Sequence, residues 1–148
     1  YAPWEVAKTA RHEMNHLFAF QVKGPDRNGS WRWLYEALAH TVEQTVMPSS
    51  SRMTVAEMKT FLRGYKAVDA SWTVLVKERD AQDQEQYRDY RKLLMSIVFF
   101  MQEKYGRNSI ATLMKNCRSG DLEEALVKTF GLGSKGLEEA WKAFYAIR

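Results

Sequence analysis

Apolar residues along this chain recur mostly at intervals of three and four, the spacing of one helix face. Trp4, Ala7, Ala10, Met14, Leu17 and Phe18 form the first such run. They predict a buried amphipathic helix from Pro3, which suits a first helical turn, to about Val22. Lys23 to Ser30 reads KGPDRNGS and is dense in turn formers. Ser30 is placed to cap a second helix, which runs through Trp33, Leu34, Ala37, Leu38 and Val42 to about Met47, before Pro48. Thr54-Val55-Ala56-Glu57 is a capping box and predicts a short helix ending near Gly64.

The next stretch, Tyr65 to Val76, contains the β-like run Trp72-Thr73-Val74-Leu75-Val76. Strand and helix are near equal there by pattern, and the lack of a second strand to pair with favours helix or irregular structure. From about Asp80 a long helix begins polar and turns apolar through Leu94, Ile97, Val98 and Met101, stopping at Tyr105-Gly106. Its apolar half is expected to be the hub on which the first two helices pack. Asn108 or Ser109 then caps a helix to about Cys117, and Ser119-Gly120-Asp121 turns into another through Leu122, Ala125 and Leu126. After a loop with Gly131, Gly133 and Gly136, the positions Leu137, Ala140, Trp141 and Phe144 give a last amphipathic helix. The expected fold is mainly α, a helical bundle forming a single domain over residues 1–148.

Composition changes this picture little but excludes several classes. A hydrophobic fraction of 45% over 148 residues supports a folded core and argues against disorder. The net charge of +4 is spread among interleaved acids and bases, as in Lys77-Glu78-Arg79-Asp80, so no nucleic-acid-binding face is expected. A single cysteine, Cys117, rules out an internal disulfide or a thiolate metal cluster and reads as a small buried side chain. The longest apolar run, Leu93 to Met101, is nine residues broken by Ser96, too short to span a membrane. Compartment stays open on these grounds.

The chemistry lies in the first helix. His12-Glu13-Met14-Asn15-His16 is an uninterrupted H-E-x-x-H. On a helix, residues four apart share a face, so His12 and His16 can offer two imidazoles to one ion while Glu13 stands beside them as a proton acceptor for water. Such a motif arises by chance in roughly one chain of this size in a few hundred, so a third ligand is needed. Glu36, on the second helical pattern and separated from His16 by 19 intervening residues, supplies the candidate. Two histidines, a glutamate and an open position are a standard catalytic zinc arrangement.

His12-Glu13-x-x-His16 followed by Trp33-Leu34-x-Glu36-Ala37-x-Ala39 resembles the gluzincin metallopeptidases, the thermolysin-like domains called peptidase MA-like. Weaker likenesses extend to Phe100–Gly106, Leu122–Leu132 and Leu137–Trp141. The resemblance implies a zinc-dependent hydrolase acting on peptide or protein substrates, with Zn2+ on His12, His16 and Glu36 and with Glu13 as general base. It also implies an oxyanion donor from the helical half, for which Tyr90 and then Tyr87 are the candidates. It leans toward an extracytoplasmic or secreted location. Relatives carry Gly where this chain has Ala37, which a helix tolerates. They often carry a carboxylate four residues past the ligand glutamate, where this chain has His40. Glu43, one turn further, is the candidate substitute. The resemblance implies a mostly β subdomain ahead of the first helix whose edge strand binds the peptide, so the chain is expected to be part of a longer precursor. A zinc peptidase and a non-catalytic metallopeptidase-like module, or half of a larger peptidase inactive alone, both stay open.

Overall fold

The computed structural model describes residues 2–23, 32–64, 84–119 and 121–147. Over them the fold is mainly α, with seven α-helices. These are α1 (Pro3–Lys23), α2 (Arg32–Glu43), α3 (Val55–Arg63), α4 (Gln84–Tyr105), α5 (Ser109–Asn116), α6 (Leu122–Phe130) and α7 (Ser134–Tyr145). The turn-rich Lys23–Ser30 connection beyond Lys23, the cap expected at Ser30 and the β-like run within Tyr65–Val76 lie outside the described residues.

Local chemistry explains the helix ends. Glu5 accepts the Ala2 N–H at 2.7 Å, which satisfies a free donor at the start of α1. The capping box at α3 forms as its sequence predicts: Thr54 Oγ1 accepts from the Glu57 N–H, Glu57 accepts from the Thr54 N–H, and Gly64 ends the helix. Gly106 ends α4 at φ 91° and Gly131 ends α6 at φ 74°, a conformation that needs a residue without Cβ. Helix α2 stops at Glu43, short of the expected Met47, and continues as single turns through Val46.

The apolar half of α4 is the hub. Leu93, Leu94, Met95, Ile97, Val98, Phe100 and Met101 are all buried. Helix α2 packs directly on α4 through a face containing Leu34 and Ala37, whereas α1 rests on α2 and α5. At the far side, Trp141 Nε1 donates to Ser96 Oγ at 3.0 Å and the Tyr145 hydroxyl donates to the Ser96 carbonyl at 2.7 Å, pinning α7 to α4. Ser96, which interrupts the apolar run in the sequence, is thus a fully satisfied buried polar group.

One expectation is corrected. The apolar stripe of α1 is not the buried face: Val6, Met14, Leu17, Phe18 and Phe20 are each more than half exposed, and Ala10 is exposed as well. The side turned inward carries His12 and Ala19, with Ala19 almost completely buried. Periodicity identifies two helix faces but not which one finds a partner; here the polar face does, because α2 offers it matching groups.

Leu34 lies fully buried on the α2 face that holds the site in place. Leu34→Ala is expected to destabilise the fold by about 2–5 kcal/mol, read as a lowered urea midpoint at unchanged slope.

Candidate metal centre

Two helices build the site. On α1, Lys8, His12 and His16 follow one another at four-residue steps along one face, and on α2 Glu36, His40 and Glu43 do the same at steps of four and three. Packing α1 on α2 brings the two rows together.

The outer part of the cluster contains the residues singled out in the sequence. His12 Nε2 and His16 Nε2 lie 3.0 Å apart with their rings nearly perpendicular, at 79°. Glu36 spans them, with Oε2 at 3.6 Å from His12 Nε2 and Oε1 at 3.6 Å from His16 Nε2. Among the described residues these two rings are the only polar partners of the Glu36 carboxylate. A tetrahedral zinc with nitrogen bonds of about 2.0–2.1 Å separates its donors by about 3.3 Å. The nitrogens are 3.0 Å apart and each lies 3.6 Å from a different Glu36 oxygen, close to that spacing, so the three side chains bring donor atoms within reach of a single ion. The side chains of His12, His16 and Glu36 are 15%, 28% and 28% exposed, so this part of the cluster is in contact with solvent. Glu13, beside His12, is exposed on α1.

The inner part is closed. Glu43 accepts the His12 Nδ1–H at 2.6 Å with Oε1 and the Arg91 Nη2–H at 2.6 Å with Oε2. Lys8 Nζ stands 3.6 Å from the same Oε2. Arg91 Nε also donates to His40 Nδ1 at 3.2 Å. A guanidinium keeps its protons, so His40 Nδ1 is an acceptor there. Its 3.1 Å approach to Glu43 Oε1 then places two acceptors side by side, held by the shared cation.

Burial by itself would raise the pKa of Glu43. The cations beside it, Arg91 and Lys8, overcome this and hold it well below its ordinary 4.5. The two cations are decisive, because His40 gives Glu43 no proton in this arrangement. Burial, helped by Arg91, pushes the pKa of His40 below its ordinary value despite the neighbouring carboxylate, so the ring is neutral. His12, His40 and Glu43 also bring three donor atoms within 4.8 Å of one another. Arg91 already supplies the cation of that second set, which therefore acts as support for the first.

The position four residues past Glu36 does hold a buried His40, and the carboxylate that engages His12 comes from Glu43, one turn further. Arg91 and Lys8 were not singled out from sequence. The available signals were Lys8 one turn before His12 and Arg91 where α4 changes from polar to apolar. Tyr90 is half-buried and packs against the hydrophobic core next to Arg91. The side chain of Tyr87 lies outside the described residues.

Fold and site together define a helical domain in which two histidines and a glutamate gather donor atoms close enough to share one metal ion. Residues 2–146 match the family Peptidase_MA_2, described as the Peptidase MA superfamily, and the chain belongs to that superfamily. No curated protein and no solved structure matches the chain.

The pKa of Glu43 is lowered in the folded state, so its stabilisation is complete above about pH 4.5 and is lost as pH falls toward about 2. Wild type is expected to be more stable than Glu43→Gln at neutral pH by about 1–3 kcal/mol. That gap should close progressively below about pH 4.5 in urea unfolding measured down the pH series.

Proposed function

We propose that this domain is a zinc-dependent metallopeptidase that cleaves peptide bonds with an activated water. In this reading His12 Nε2, His16 Nε2 and a Glu36 oxygen hold the ion, and Glu13 is the general base. The observation that carries it is the convergence of two imidazoles and an otherwise unpartnered carboxylate at separations suited to one tetrahedral cation. Membership of the Peptidase MA superfamily supports the same chemistry. Zinc, when bound, would supply Lewis acidity toward water and toward a scissile carbonyl.

The residues do the rest. His12 offers Nε2 because its other nitrogen is committed to Glu43, which fixes both tautomer and ring orientation. Glu36 brings a negative charge from the neighbouring helix and offsets the charge of the cation. Glu13 stands one residue from His12 with its carboxylate exposed, where it can take a proton from water and return it to the leaving amine. No helix among the described residues is long and apolar enough to cross a membrane.

The purified chain is expected to hold about one zinc per molecule by elemental analysis, lost in His12→Ala and in Glu36→Ala. Glu13→Gln should keep the metal and lower cleavage of an unfolded protein substrate by about 10²–10⁴-fold. Equal inertness of wild type and Glu13→Gln, both zinc-loaded, would establish a non-catalytic module instead.

A further inference from the structure

Arg91 enters the site from α4, a helix that carries none of the residues proposed to hold the ion or to act as base. Its guanidinium makes two directed bonds, from Nη2 to Glu43 Oε2 at 2.6 Å and from Nε to His40 Nδ1 at 3.2 Å. Glu43 in turn receives the His12 Nδ1–H on its other oxygen at 2.6 Å. The three contacts form a chain from the hub helix to the ring of His12. Glu43 is 4% exposed and His40 is 2% exposed, so water has little access to either. A buried carboxylate holds its charge and its rotamer only with a cation against it, and Lys8, at 3.6 Å, is the more distant of the two cations.

We propose that Arg91 is a positioning residue for the metal centre: it holds Glu43 so that Glu43 can hold His12, and thereby sets the affinity of the site for its cation. This rests on the reading of His12 as a metal ligand. A planar guanidinium meets both acceptors at once with a fixed divergence of its N–H bonds, which the single ammonium of a lysine does not reproduce. His40 is the second anchor of the guanidinium. The orienting carboxylate is Glu43, one helical turn along α2, and the charge of Arg91 accompanies it.

The test is zinc affinity, measured by competition with a chromophoric chelator, together with the visible absorption of the cobalt-substituted chain. Arg91→Ala and Glu43→Gln should each weaken zinc binding about 10–100-fold at unchanged one-to-one stoichiometry and perturb the cobalt bands. Arg91→Lys, which preserves the charge and guards against loss of folding, should remain weaker than wild type. Because Arg91 acts through Glu43, the double variant should bind no more weakly than Glu43→Gln alone. Tyr145→Phe, which breaks a buried hydrogen bond elsewhere in the core, should lower thermal stability without changing zinc affinity. Wild-type affinity in both Arg91 variants, or additive losses in the double variant, would overturn the proposal. Undiminished one-to-one zinc binding by His12→Ala would instead overturn the underlying assignment of His12 as a ligand.

Discussion

The hydrogen bond from His12 Nδ1 to Glu43 joins the two helices on which everything else in the site depends. It is short, charge-assisted and half-buried, and it ends on a carboxylate that the surroundings keep ionised. Without it the ring of His12 could rotate and exchange its proton between nitrogens. With it, the Nε2 lone pair is aimed at the gap between His16 and Glu36. The outer half of the cluster is open to solvent and available for chemistry, while the inner half is closed and acts as its foundation. This division follows from burial: carboxylates tolerate the interior only where cations reach them, and Arg91 and Lys8 reach Glu43 but not Glu36.

The rest of the fold can be read as support for that foundation. Helix α4 combines an apolar second half that forms the hub with Arg91 near the point where the hub begins. The knot of Trp141 and Tyr145 on Ser96 fixes the opposite side of the same helix. Helix α2 is held between α4 and α1, with its apolar residues turned to the former and Glu36, His40 and Glu43 gathered where α1 crosses it.

Much of this was legible in the sequence, for identifiable reasons. Helix ends marked by local chemistry came out as read, at the capping box of Thr54 and Glu57 and at Gly106, because those signals act within a few residues. The approach of Glu36 to His12 and His16 was legible because the two histidines share one helical turn and the glutamate lies early in the next helix. Glu43 could be named as a substitute since helical geometry places it below Glu36. Arg91 could not, being 48 residues from Glu43 in sequence and brought close only by tertiary packing. The exposed side of α1 was misjudged because apolar spacing has no sign: Met14, Leu17 and Phe18 form a stripe whichever way the helix is turned.

The short distance between the two Nε2 atoms has one more implication. Two imidazoles 3.0 Å apart at Nε2 need a proton between them, and whichever ring carries it must release it before both lone pairs can face one ion. The two histidines of the motif are nonetheless unequal in the folded chain: Glu43 braces the ring of His12 from behind at Nδ1, whereas among the described residues His16 meets a carboxylate only through Nε2.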